Sequence, residues 1–183
     1  MGYKIIAIMG KAGSGKDTIL QQVLTKNYNL NEIISCTTRP KREGEKEGVN
    51  YYYLTPEQFA DKVLHNEMLE ATCFNDWFYG TSYEALRTDT INIGVFNPAG
   101  IEALMSHQDV EVTVFYVYAS DKIRLLRQLN RENDPNVNEI IRRFKADEKD
   151  FFDLNFEYQI IENNYHNNLT LAVNTILSAI NSL

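Results

Sequence analysis

The sequence is poor in the residues that would staple a fold or anchor it to a membrane. Two cysteines, Cys36 and Cys73, are too few for a disulfide framework, so both thiols are read as reduced and structural, in a cytoplasmic setting. The apolar run at the start, Tyr3 to Met9, falls far short of the roughly 20 residues of a membrane span. No small-residue cleavage site follows it. The three histidines, His65, His107 and His166, stand in unrelated contexts and form no Cys/His or carboxylate constellation, so no general base is visible. Positive charge is short too. With 18 Lys and Arg against 25 Asp and Glu, the net charge of −7 disfavours a broad nucleic-acid or anionic-membrane surface. No internal repeat or low-complexity linker interrupts the chain.

At 183 residues the chain is long enough for one compact α/β domain, which at this size buries roughly 70% of its unfolded surface without staples. The few cations are concentrated. Arg39, Lys41 and Arg42 form one group, and Arg124, Arg127, Arg131, Arg142 and Arg143 another. Each arginine of the second group reads equally well as a phosphate ligand or as part of a salt-bridged helix face.

Tyr3 to Met9 opens into glycines, as a buried parallel strand does, and Asp17 to Lys26 follows with helical spacing of Ile19, Leu20, Val23 and Leu24. Strands are predicted over Glu32 to Cys36, Val49 to Leu54, Met68 to Phe74, Asp76 to Tyr79, Thr90 to Phe96, Val110 to Tyr118 and Glu157 to Glu162. Thr55, Pro56 and Gln58 spell a capping-box helix start. Asn97 before Pro98 and Asp134 before Pro135 read as two further caps. An amphipathic helix over Leu169 to Leu183 closes the chain. Strand and helix alternate at both ends while residues 36–86 are strand-rich, which predicts a parallel core sheet flanked by helices, with an inserted, mostly β segment.

Gly10-Lys11-Ala12-Gly13-Ser14-Gly15-Lys16-Asp17-Thr18 has the spacing G-x-x-x-x-G-K between a strand and a helix. Such a loop turns backbone N–H groups inward around a phosphate, aims a helix N-terminus at it, and brings Lys16 to the β- and γ-phosphates of ATP. Asp17 stands where this pattern usually has Ser or Thr as the Mg2+ ligand. It is either a carboxylate ligand to that ion or a simple helix cap.

The stretch Ser35-Cys36-Thr37-Thr38-Arg39-Pro40-Lys41-Arg42-Glu43-Gly44-Glu45-Lys46-Glu47-Gly48-Val49-Asn50-Tyr51 closely resembles the GMP-binding segment of guanylate kinases, S-x-T-T-R-x-P-R-x-G-E-x-x-G-x-x-Y. The proline and its neighbour are exchanged here. Downstream, Leu69-Glu70-Ala71 and Tyr79-Gly80-Thr81-Ser82 match two more of the family's elements. The chemistry agrees with the resemblance. A nucleoside monophosphate is a dianion, served by the forks of Arg39 and Arg42 and the hydroxyls of Ser35, Tyr51 and Tyr79. Guanine presents two neighbouring donors that Glu70 can accept, and Thr81 can bond another edge atom. Read on residues alone, Glu70 is equally an exposed side chain on the polar face of a strand.

The resemblance covers nearly the whole chain. It implies a P-loop kinase core (about 1–35, 87–123 and 154–183), a GMP-binding insertion (about 36–86) and a helical lid (about 124–153). It further implies transfer of the γ-phosphate of ATP to GMP or dGMP with Mg2+, by a monomer or homodimer with no nucleic-acid or membrane partner. Leu125 to Arg131 and Glu139 to Asp150 resemble the lid, which places Arg127, Arg131 and Arg143 on its arginine positions, with Arg142 leaving the register open by one residue. Asn163 or Asn164, just past the last strand, resembles the residue near adenine. Where guanylate kinases carry D-x-D, this chain has Val95-Phe96-Asn97, and Asn97 is either a reader of the base or a helix cap. Asn97 and the Gly-Lys-Asp loop also resemble ribose bisphosphate phosphokinases. A broader nucleotide acceptor range, and a binding module without catalysis, are the remaining alternatives.

Overall fold

The computed structural model describes every residue except Met1, Tyr28, Glu43, Asn75, Glu132, His166 and Asn167, so the readings placed on Glu43 and His166 lie outside it. Strand β1 (Tyr3–Met9) alternates its side chains between two faces. Ile6 and Ile8 pack on one side with Ile19 and Val23 of helix α1 (Lys16–Lys26) and Val173 and Ile176 of helix α6 (Asn168–Ile180). Ile5, Ala7 and Met9 face the other side, against Ile101 and Leu104 of helix α3 (Pro98–Met105). With both faces covered, the strand can be apolar throughout, and each fully buried isoleucine contributes about 1.5–3 kcal/mol.

Two sheets share the described residues. The main one is wholly parallel in the order β2-β7-β1-β8-β9, with β2 Leu30–Glu32, β7 Ile91–Val95, β8 Val110–Tyr118 and β9 Gln159–Glu162. The second runs β4-β3-β6-β5, with β3 Cys36–Thr37, β4 Tyr52–Tyr53, β5 Met68–Phe74 and β6 Trp77–Ser82. Helix α2 (Pro56–Leu64) begins at the predicted capping box, with both reciprocal bonds of Thr55 and Gln58 formed. Helices α4 (Asp121–Leu129) and α5 (Val137–Asp150) lie between β8 and β9 in the chain. No helix of the described residues is long and apolar enough to cross a membrane.

Three sequence expectations are corrected. The strand predicted over Glu32 to Cys36 is two strands in two sheets. The Ile33 N–H donates to Ile93 O at 2.8 Å, whereas Ser35 O accepts from Tyr52 N at 2.9 Å, so the chain changes sheet within three residues. Val49 to Leu54 yields only the two residues of β4, because Val49 and Asn50 turn back to Lys46 O. Helix α5 is capped by Asn136, whose Oδ1 accepts from Glu139 N at 3.0 Å, and not by Asp134. Cys36 is buried, as a structural thiol should be, but Cys73 is exposed on β5.

Candidate active site

The phosphate loop is held by its glycines and by α4. Gly13 and Gly15 have φ of +81° and +93°, in the left-handed region that side chains resist. A Cβ on Gly13 would stand 2.7 Å from Arg124 O, and one on Gly15 2.4 Å from Asn163 Nδ2. The outward carbonyls are tied down. Arg124 Nε donates to Ala12 O at 3.0 Å, Arg127 Nη1 to Ser14 O at 3.0 Å, and Asn163 Nδ2 to Ser14 O at 2.8 Å. A second fork nitrogen of Arg127 donates to Asn163 O at 2.7 Å. Ser14 N closes the turn on Lys11 O at 3.0 Å. With its carbonyls bonded outward in this way, the loop leaves Lys16 on the wall of a cavity, together with Gly10 and Ala12.

That cavity, of about 220 Å3, joins the phosphate loop to the second sheet and to α5. Its floor comes from the β5–β6 hairpin. The register pairs Glu70 with Thr81 and Thr72 with Tyr79, which puts these four side chains on one face. Glu70 is 6% exposed. Its Oε1 accepts the Thr81 hydroxyl at 2.9 Å, and its Oε2 is buried with no hydrogen-bond partner among the described residues. Burial pushes the Glu70 carboxyl up to about 7, against the pull of the Thr81 hydroxyl and N–H. An acceptor buried without a donor is costly unless a ligand brings one.

The opposite wall is cationic. Arg42, Arg142 and Arg143 all line the cavity, and Glu139 gathers them. The Glu139 carboxylate accepts from Arg142 Nε and Nη2 at 2.6 and 2.8 Å and from Arg143 Nε at 2.9 Å, and lies 4.0 Å from Arg42 Nη2. The Arg142 hydrogen bond first, and Arg143 after it, hold Glu139 down at about 2 in spite of partial burial. Three guanidinium groups around one carboxylate leave two positive charges over. Burial and the nearness of Arg143 and Arg39 lower the pKa of Arg42, as a cation crowded by cations requires.

The match of the guanylate kinase family to residues 2–180 takes in nearly the whole chain, the loop, the hairpin and the cationic wall together. The chain belongs to the guanylate kinase family. The guanylate kinases of Chlorobium chlorochromatii and Thermotoga maritima are 28% and 29% identical to it, each over 97% of this chain and over 94% and 88% of the relative. That of Bacteroides thetaiotaomicron is 46% identical over 85 residues, a match that spans 46% of this chain and only 42% of the relative's length. Among solved structures, guanylate kinase from Anaplasma phagocytophilum superposes with a TM-score of 0.70 at 20% identity, covering 97% of this chain and 86% of that one. A sugar kinase from Janibacter superposes at 0.53 with 14% identity, over 96% and 93% of the two chains. At such identities both structures speak to the fold alone.

Set against the guanylate kinase pattern, the sequence-predicted residues divide. Lys16, Ser35, Arg42, Tyr51, Glu70, Tyr79, Asn97 and Arg143 line one cavity, and Thr81 bonds Glu70 beneath it. Arg39 does not line it. It is 4% exposed, with Nη2 closed on both oxygens of Glu45 at 2.9 and 3.0 Å, and it lies 5.5 Å from the Tyr51 ring centroid. Glu45 also accepts from Arg42 N and the Tyr53 hydroxyl, so Arg39 braces the loop that carries Arg42. Arg127 and Asn163 bind the back of the phosphate loop, and Arg131 is exposed past the end of α4. Asn97 is the cap of α3: Oδ1 accepts from Gly100 N at 2.7 Å and Nδ2 donates to Thr72 Oγ1 at 3.2 Å. Asp17 is exposed with its carboxylate 3.6 Å from Lys16 Nζ, and Thr18 is exposed beside it.

Sequence reasoning missed Glu45, Glu139, Trp77, Thr72 and Asp147. Glu139 was within reach, since it precedes Arg142 and Arg143 by three and four residues, the spacing of helical ion pairs. Trp77 and Thr72 needed the hairpin register, and Asp147 needed the packing of α5 on the loop.

Proposed function

We propose that this protein transfers the γ-phosphate of ATP to the phosphate of GMP or dGMP. The observation that carries this reading is the buried Glu70 Oε2, without a partner among the described residues, at the floor of a cavity whose rim holds Lys16 on one side and Arg42, Arg142 and Arg143 on the other. Guanine offers the ring N–H and the exocyclic amine side by side, and an ionised Glu70 accepts both. Adenine offers no such pair. With the base on Glu70, the monophosphate points toward the arginines and the Tyr51 and Tyr79 rings, which stand edge to face with centroids 5.9 Å apart.

Phosphoryl transfer between two anions is a problem of alignment and charge. The attacking phosphate oxygen is already ionised at neutral pH, so no base is required. Lys16 and the loop amides hold the donor, and Arg42 and Arg143 neutralise charge as it moves between the phosphates. Lid helix α5 excludes water, which protects ATP from hydrolysis. Mg2+ fits this site as an ion carried by the phosphates, because such ions take only one or two protein carboxylates and Asp17 supplies one beside Lys16. When bound, it would screen the β- and γ-phosphate oxygens. We read the protein as a cytoplasmic kinase that acts on free nucleotides as a monomer or homodimer.

The test is ADP release from Mg-ATP with a panel of acceptors: GMP, dGMP, AMP, CMP, UMP and ribose 1,5-bisphosphate. Turnover confined to the guanine nucleotides is expected. Turnover with the sugar phosphate alone would overturn the acceptor assignment and leave the phosphate loop in place. Failure to bind ATP would favour a binding module.

A further inference from the structure

Helix α5 does more than supply arginines. Asp147, 7% exposed, reaches from it to the phosphate loop, where its Oδ2 accepts the Ala12 N–H at 2.8 Å. The same oxygen accepts from Arg124 Nη2. Arg124 is itself buried, stacked 4.3 Å from the Phe144 ring centroid, and its Nε holds Ala12 O. One ion pair therefore grips residue 12 by its N–H and its C=O, and joins α4, α5 and the loop.

The carboxylate stands among the groups that receive a phosphate. Asp147 lines the same cavity as Ala12 and Lys16. Backbone N–H groups of such a loop are what a phosphate oxygen binds, and the Ala12 N–H at the edge of the cavity already has an anionic oxygen on it. Burial raises the Asp147 carboxyl above its ordinary range although the Ala12 N–H, Arg124, Lys16 and Lys11 all pull it down, so the loop holds this anion at a cost. Resting on the reading of the loop as an ATP site, we infer that Asp147 is a positioning residue that stands in for the terminal phosphate, latching the lid helix to the loop until ATP displaces it. ATP then meets a competing negative charge that ADP, one phosphate shorter, does not reach.

Affinity for Mg-ATP and Mg-ADP, measured by calorimetry on the full chain, separates this from a purely structural brace. In Asp147→Asn the competing charge is gone and an acceptor for Ala12 remains. ATP should bind about tenfold tighter while ADP changes little, a shift of about 1.4 kcal/mol confined to the triphosphate. Asp147→Ser, a smaller neutral acceptor, should move the ratio the same way and serves if the amide variant folds poorly. An ATP-to-ADP affinity ratio that is unchanged or lower in a folded variant overturns the inference alone. Wild-type protein that binds neither nucleotide overturns the proposed function, and the inference with it.

Discussion

Replacing Glu70 with Gln should weaken GMP binding and at the same time stabilise the free protein. The two effects have one cause. In the free protein Oε2 is buried with no donor among the described residues, and the carboxyl is raised from its ordinary 4.5 to about 7. The folded chain therefore holds a proton that the unfolded chain has released. The resulting cost is absent below pH 4.5, grows through pH 7, and is fully present above it, where it reaches about 3 kcal/mol at most. Gln carries no charge to desolvate, so Glu70→Gln should melt higher than wild type at pH 8 and alike at pH 4.5. Ligand binding moves the other way. With the Gln carbonyl kept on Thr81, its NH2 faces the cavity, and a donor meets a donor on guanine. Hydrogen bonds to a charged group are worth about 1.5–3 kcal/mol, so GMP affinity should fall roughly 10- to 150-fold. Wild-type affinity should itself decline as pH drops below 7, because a protonated Glu70 accepts from only one oxygen. Calorimetric titration of GMP at pH 6, 7 and 8, with melting curves at pH 4.5 and pH 8, reads both effects. A dissociation constant unmoved by the substitution removes Glu70 from the base site. A wild-type affinity that is flat from pH 6 to 8 refutes the titration argument.

Two further substitutions test the loop. Gly13→Ala forces a Cβ to 2.7 Å from Arg124 O at a φ of +81° and should cost about 1–3 kcal/mol of stability by thermal melting, with a rise in the KM for ATP. Asp17→Ala removes the exposed carboxylate beside Lys16 and should raise the Mg2+ concentration needed for half-maximal turnover; an unchanged titration would assign Asp17 to the helix start alone.

The legible parts of the fold were those where local sequence and tertiary context agree. Tyr3 to Met9 is apolar because both faces are covered, the Thr55 capping box formed as written, and Asn97 caps α3. The failures occur where the chain serves two sheets. Ile33 still bonds β7 while Ser35 already bonds β4, and no periodicity in Glu32 to Cys36 marks that handover. For the candidate site, motif spacing singled out residues most of which line one cavity, but could not say which way each faces. Arg39 and Arg42 look alike in the sequence, yet Glu45 closes on the first and leaves the second at the cavity. Arg124 and Arg143 both read equally well as phosphate ligands or as helix-surface cations. Only packing shows that one is buried behind the loop and the other lines the cavity.

Glu139 brings these distinctions to a test, because it ties α5 to the loop after β3. Its carboxylate joins Arg142 and Arg143 of its own helix and approaches Arg42 from the loop after β3, so it aligns cations carried by two separate parts of the chain. A carboxylate held down at about 2 contributes stability that is present above pH 4.5 and is lost as pH falls through 2. Glu139→Gln should therefore flatten the acid limb of the stability curve and leave the alkaline side alone. At the site the substitution frees the guanidinium groups to scatter while raising their summed charge. Added charge favours GMP capture at low salt, and scatter lowers the fraction of complexes aligned for transfer. KM for GMP should thus fall at low ionic strength and lose that advantage as salt rises, while kcat drops about tenfold at every salt concentration, as a modest loss of alignment does. An unchanged kcat would show that closure on the nucleotides aligns the arginines without Glu139, and that its bonds serve only the stability of α5.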